Sequence, residues 1–416
     1  MSNLIELPVI SSDLVSSLHF NSSNTLLHTA SWDGYVNLYD IQRSISSYKI
    51  SQSVTEENSI VGRFHTGSSI LDSCWDENDE NIIYSGNING QIYRLDLSRI
   101  GPSTEKVLPS GTIGTQSKLA IQKLKFNKYY NVLGSISWDK SLQISDPRSQ
   151  AKSLIKHIDN KPLAMDMNNN YVIVSTTKNL IQLYDLRFPG APLIQERESG
   201  LRFQTREILL SKNQPPMQIV NNQHIFDKPE MTNQNLVYNN EDFFVQSSYE
   251  GRIIVDFIDP SEKSQEQKFA FKCHKITSSD GIDMISPINS IILFREPNPL
   301  NSSPHQLLYT SGSDGLINLW DLNKKKKLKK LKKFKHSIMK MGISNPKGEI
   351  PRTTADKNND HMLAIVVGED SFKNNRYLDT GVTTSPTNLQ QNKNGIGQGA
   401  MPNVTDFNTK LYLKFM

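Results

Sequence analysis

One eight-residue pattern recurs six times along the chain and narrows what it can fold into. It opens at Asp33 (DGYVNLYD), Asn89 (NGQIYRLD), Asp139 (DKSLQISD), Lys178 (KNLIQLYD), Glu250 (EGRIIVDF, without the final acid) and Asp314 (DGLINLWD). Asp-Gly and Asn-Gly pairs favour tight turns with positive φ. The residues that follow alternate at the period of a strand, as Val36 and Leu38 do against Asn37 and Tyr39. Small residues precede most copies, and further upstream lies another short apolar run, such as Val172–Val174 or Leu307–Tyr309. Three to four short strands per unit, joined by turns, describe a blade of a β-propeller.

The copies begin 56, 50, 39, 72 and 64 residues apart. WD repeats ordinarily run about 40–45 residues, so insertions separate some blades. The endings Tyr39-Asp40, Tyr184-Asp185 and Trp320-Asp321, and the triplets around Trp32 and Trp138, carry the WD signature. The expected fold is all-β: a seven-bladed WD-repeat β-propeller with polar loop insertions, one domain over 1–416. Blades are placed at 13–55, 65–108, 118–156, 160–196, 201–272 and 284–334. The seventh begins at 337, without a copy of the pattern, with strands Ile338–Ile343 and Met362–Val367. Two polar stretches interrupt the array: an insertion at 211–243 in blade five, and 369–408 in the last blade. The second is too polar to bury a core and is expected to be a mobile loop. The strand-like ends, Leu4–Val9 and Lys410–Met416, are expected to pair and close the ring, leaving no free edge.

Composition removes several function classes. Cys74 and Cys273 are the only cysteines. Two cannot staple a secreted scaffold or supply a four-cysteine zinc site, which favours a reducing compartment. No run reaches the ~18 apolar residues of a membrane span, and the first residues do not read as a secretory signal. Lys324–Lys335 carries nine lysines and no acid, so the net charge of +4 would be 4 − 9 = −5 without it. One local patch is basic, not the whole chain, which argues against a nucleic-acid coat. The run reads as a turn and outer strand of blade six; nuclear import and contact with acidic partners are the alternatives. There is no phosphate loop, no His-Glu-x-x-His and no Gly-x-Ser-x-Gly elbow, so neither catalysis nor a cofactor is expected. The turn aspartates, His65, His274 and His336 read as structural hydrogen-bonding groups.

Two sets of residues stand out as binding candidates. Trp32 and Trp138 occupy matching places in two blades, one residue before the turn acid. They either pack between blades or present indoles on one face, where Trp commonly anchors a peptide; the second reading is favoured. Arg206, in the charge-dense segment 196–206, joins Arg252 and Lys272 as cations of blade five and its exit. They are solvated or paired surface charges, or an anion site, since Arg grips carboxylate and phosphate in bidentate fashion.

These residues carry a resemblance. The segments SSLHF…LLHTASWDGYVNLYD, RESGLRFQTR, YEGRIIVDFIDP, KFAFKCH and SGSDGLINLWD resemble the spindle-checkpoint WD-repeat family abbreviated from "budding uninhibited by benzimidazoles", third member, over about 13–345. The asparagine content and polar insertions suggest a fungal member. The WD-repeat mRNA-export factor of the nuclear pore is a relative of that family. The resemblance implies a non-enzymatic adaptor of nucleus and kinetochore, present also in the cytoplasm. It would bind an acidic GLEBS motif of the checkpoint kinase and of its non-catalytic paralogue through Trp32, Trp138 and Arg206. On a different surface, Arg252 and Lys272 would clamp the phosphothreonine of a Met-Glu-Leu-Thr repeat in a kinetochore scaffold. It further implies a monomeric subunit of hetero-complexes that reaches the ubiquitin ligase of anaphase through the checkpoint complex, with no direct nucleic-acid or membrane contact. The alternatives are an mRNA-export factor at the nuclear pore or a substrate receptor of a ubiquitin ligase.

Overall fold

Asp or Asn opens four of the six repeated segments and Lys178 and Glu250 the other two; each turns the chain, and the next position must accept a left-handed backbone. In all six copies it does: Gly34, Gly90, Lys140, Asn179, Gly251 and Gly315 have φ between 57° and 82°. Gly90 is constrained twice, because a Cβ there would collide with the carbonyl oxygen of Ser117. The computed structural model describes residues 4–9, 11–101, 106–149, 153–188, 190–211, 223–226, 242–277, 280–296, 305–331, 333–344, 361–368 and 409–416. Most of the 211–243 insertion and the whole of 369–408 lie outside the described residues.

Around these turns the chain forms a seven-bladed β-propeller. Blade one is Val15–Phe20, Leu26–Ser31, Tyr35–Asp40 and Ile60–His65. Blade two is Ile70–Trp75, Ile82–Asn87, Ile92–Asp96 and Gly111–Thr112. Blade three is Ile121–Asn127, Val132–Ser137, Ser141–Ser145 and Ser153–His157. Blade four is Pro162–Met167, Tyr171–Thr176, Leu180–Asp185 and Leu193–Glu198. Blade five is Thr205–Leu210, Phe243–Ser248, Arg252–Phe257 and Phe269–Lys272. Blade six is Ile288–Glu296, His305–Gly312, Ile317–Asp321 and Lys326–Lys330. Blade seven is Ser337–Ile343, Met362–Gly368, Lys410–Phe415 and, from the other end of the chain, Leu4–Leu7. Leu4 pairs with Lys414 and Leu7 with Leu411, so the N-terminal strand supplies the outer edge of the last blade.

The first strand of each blade faces the central channel and packs beside the first strand of the next. Seven buried apolar clusters fill the spaces between blades. One joins blade seven to blade one through Leu7, Leu413, Leu18 and Tyr39.

Blade two runs past its expected end at 108 to Gly111–Thr112, and blade one departs further from its expected limits. Its outer strand is Ile60–His65, beyond the 13–55 range, because a helix over Ile41–Ser51 intervenes. Asp40 caps that helix by accepting from Arg43 N at 2.8 Å, and Ile41 and Ile45, four apart, bury one side of it. Lys106–Val107 then returns to pair in parallel with this outer strand.

The lysine run forms the outer strand of blade six, Lys326–Lys330, as the sequence indicated. Its apolar residues do not share one environment: Leu328 is 51% exposed, whereas Leu331 is buried and Phe334 meets the Tyr412 ring.

Candidate functional site

Every inner strand carries a register break near its start, as at Ile121/Lys123, Thr205/Glu207 and Ile288/Ser290. A β-bulge of this kind re-aims one side chain. In blades three, five and six the bulged residue meets the residue that heads the turn between the second and third strands. Gln122 Oε1 accepts from Trp138 Nε1 at 2.6 Å, Arg206 Nη1 donates to Tyr249 Oη at 2.7 Å, and Asn289 Nδ2 donates to Ser313 Oγ at 3.1 Å. The backbone repeats as well. Trp32 N donates to Leu14 O, Trp138 N to Ala120 O and Ser313 N to Pro287 O, each at 2.9–3.1 Å. Trp32, Trp138 and Tyr249 therefore occupy equivalent places on one face of the propeller.

Their surroundings differ. Trp32 is 40% exposed and Tyr249 43%. Trp138 is half-buried, its indole N–H held by Gln122 and its ring covered by Lys161 Nζ, 4.0 Å from the centroid. A cation over an indole is stabilising, and it adds a positive charge to the face.

Blade five brings the predicted cations together. Arg252 opens its third strand and Lys272 ends its outer strand, and the two are direct cross-strand partners. Side chains at such positions emerge from the same side of the sheet about 5 Å apart. Lys272 is exposed. Arg252 is 40% exposed, with Nε 3.6 Å from Glu250 Oε1. Arg206 stands on the same edge nearer the channel, its guanidinium carbon 5.1 Å from the Tyr249 ring centroid. Arg206, Tyr249, Arg252 and Lys272 thus form one row along blade five, and the surfaces assigned to the two ligands adjoin through Tyr249. Trp32 and Trp138 lie on blades one and three, away from this row.

Beyond the row, a hairpin of Lys275–Thr277 and Asp283–Ile285 leads to blade six. Its Asp283 bonds to Lys275 Nζ at 2.5 Å and to Thr277 Oγ1 at 2.9 Å. Those two bonds, with the charges of Lys275 and then Lys272, hold its carboxyl below the ordinary carboxylate range. Ile282 and Met284 of this hairpin are exposed, at 65% and 52%. Two acids, Glu250 and Asp283, therefore flank the two cations.

The channel holds three acid–lysine pairs: Asp72–Lys123 at 3.7 Å, Asp166–Lys125 at 3.4 Å and Glu207–Lys340 at 2.6 Å. Each acid also accepts a backbone N–H from the next blade, Leu124, Leu210 and Ile291 respectively. These six charges cancel and stitch the inner strands together. His274, buried, bonds to Asp314 Oδ1 at 2.9 Å and Thr310 Oγ1 at 3.1 Å, and Trp320 Nε1 donates to the same Thr310. It is a structural histidine, as read from the sequence. His65 packs its ring 4.5 Å from that of Tyr35, and His336 is half-buried ahead of blade seven.

Sequence reasoning missed Tyr249 and Lys161. Tyr249 was within reach, because it precedes Glu250 in the repeat just as Trp32 precedes Asp33. Lys161 gives no such signal, since only the fold sets it over Trp138.

The repeat, the ring of inner strands and the closing pair define a WD-repeat propeller, and the WD domain, G-beta repeat family matches residues 6–40. Over most of its length the chain is homologous to mitotic checkpoint proteins. It is 28% identical over 338 residues to the mitotic checkpoint protein BUB3.1 of Arabidopsis thaliana, covering 80% of this chain and 81% of that one. It is 28% identical over 336 residues to the spindle assembly checkpoint protein bub3 of Schizosaccharomyces pombe, covering 80% and 86%. Protein Rae1 of Drosophila melanogaster is 25% identical over 371 residues, 88% of each chain, and mRNA export factors are more distant relatives.

Proposed function

We propose that this propeller is a non-enzymatic adaptor of the spindle assembly checkpoint, reading a phosphothreonine at Arg252 and Lys272 and an acidic peptide across the face that carries Arg206, Trp32 and Trp138. The reading rests on one observation above the others: the direct cross-strand pairing of Arg252 with Lys272 at an exposed rim. A phosphothreonine carries about −1.5 to −2 charges at pH 7, so two cations nearly neutralise it and give charge-assisted hydrogen bonds. The acidic GLEBS motif of the checkpoint kinase, or of its non-catalytic paralogue, would pair with Arg206 while apolar residues rest on Tyr249 and the two indoles. The phosphorylated Met-Glu-Leu-Thr motif would come from a kinetochore scaffold, and the adaptor would work in the nucleus and at kinetochores, joining the checkpoint complex that meets the ubiquitin ligase of anaphase. The chemistry belongs to its partners.

The test is Arg252→Ala with Lys272→Ala. In cells the double variant should fail to concentrate at unattached kinetochores while still co-purifying with the checkpoint kinase. Normal kinetochore accumulation of the double variant would refute the clamp. Predominant recovery of nuclear-pore components with the wild type would instead favour an export role, in keeping with the more distant relatives.

A further inference from the structure

We propose a second docking site, independent of the first: a groove on the flank between blades five and six that takes an extended acidic peptide with one apolar anchor. A cavity of about 250 Å³ opens there, lined by Phe269, Phe271, Trp320, Leu322, Lys325 and Lys326, and by Asp321, whose buried carboxylate lies 3.6 Å from Lys324 Nζ. Phe269 and Phe271 alternate with Ala270 on the outer strand of blade five, so both rings leave the same side of it. The Phe271 ring lies 6.0 Å from that of Phe269 and 4.6 Å from that of Trp320, which makes a continuous aromatic floor.

The rim is cationic. Lys325 Nζ is 4.6 Å from the Phe269 centroid and Lys327 Nζ 5.6 Å from that of Trp320. Beside them runs Lys326–Lys330, exposed throughout and, among the described residues, paired on one side only. Lysines on an edge strand can serve merely to repel other sheets. That role needs no cavity and no aromatic floor, and it does not need nine lysines on a chain whose remaining charge is −5.

Charge complementarity selects an acidic occupant. The free strand edge offers backbone N–H and C=O groups, which an extended peptide can use by strand addition. The cavity has room for a side chain, and burying one there adds hydrophobic stabilisation. Single-stranded nucleic acid would need open ring faces for stacking, and here lysine ammonium groups already lie over the Phe269 and Trp320 rings. The groove lies toward the opposite end of the strands from the Arg252–Lys272 rim, since Phe269 begins the strand that Lys272 ends.

The test is fluorescence anisotropy at low salt with the full chain and three probes: a labelled oligoglutamate peptide with one central leucine, the same peptide with serine there, and an oligothymidylate. The leucine peptide should bind, and the serine peptide should bind about tenfold more weakly or worse. Lys325→Glu with Lys326→Glu, both exposed, should abolish binding at an unchanged melting temperature. Phe269→Ala, if folded, should erase the preference for leucine. The proposal is overturned if the wild type binds neither peptide, if leucine and serine peptides bind equally, if the lysine variant binds as the wild type does, or if the oligothymidylate binds more tightly.

Discussion

Glu207→Gln probes how the channel charges hold the blades together. Glu207 Oε1 accepts from Lys340 Nζ at 2.6 Å, and Oε2 accepts from Ile291 N at 2.8 Å. The glutamine can keep the second bond and loses the charge. At 2.6 Å and an effective dielectric near 20, the pair is worth roughly 6 kcal/mol before desolvation. Removing one partner of a fully buried pair costs about 3–5 kcal/mol. The two side chains retain 13% and 20% exposure to the channel, so about 2–3 kcal/mol is expected here. Burial alone would raise the Glu207 carboxyl, but Lys340, Lys123 and the hydrogen bonds outweigh it and hold the group below 4.5. The unfolded chain therefore takes up this proton first as pH falls, and the contribution, complete above about pH 4.5, is lost below it. Denaturant unfolding at neutral pH should show the full difference between wild type and variant, and the gap should narrow as pH falls below 4.5. A difference under about 0.5 kcal/mol at neutral pH, or one unchanged down to acid pH, would refute the stitching role.

Other perturbations separate structural from binding residues. Arg206→Glu puts a like charge opposite the acidic peptide; losing a desolvated interface pair costs on the order of 2–5 kcal/mol, so calorimetry with a GLEBS peptide should show binding collapse at an unchanged melting temperature. Tyr249→Ala should weaken both the acidic peptide and the phosphopeptide, because it joins their surfaces, and loss of only one would place them apart. His274→Ala strands the buried Asp314 and should lower stability by about 1–3 kcal/mol, seen in denaturant unfolding, while leaving phosphopeptide affinity within about twofold. Changing Lys324, Lys325, Lys326 and Lys327 to Ser should shift a fluorescent fusion toward the cytoplasm if the run drives nuclear entry; unchanged localisation would exclude that role.

Much of the fold could be read from the chain because each repeat announces its own turn. Asp33, Asn89 and Asp314 mark the same corner of three blades, and the backbone requirement behind them is local. Blade one was harder to delimit: its helix depends on the Asp40 cap and on Ile41 and Ile45 finding a core supplied by blade seven. The Arg252–Lys272 pair was legible because both residues flank strands of one blade. The Arg206–Tyr249 contact was not, since it requires a bulge that moves Arg206 out of strand alternation. The channel charges were invisible for a similar reason, as nothing local tells Asp72 or Glu207 which side of an inner strand faces the axis.

The central claim is that blade five reads a phosphate. A crystal structure of the protein with a phosphorylated Met-Glu-Leu-Thr peptide tests it most directly. The phosphate oxygens should lie within hydrogen-bond distance of Arg252 and Lys272, with Glu250 turned away from the Arg252 guanidinium. A phosphate bound elsewhere on the propeller, with the Arg252–Glu250 contact intact, would contradict the account.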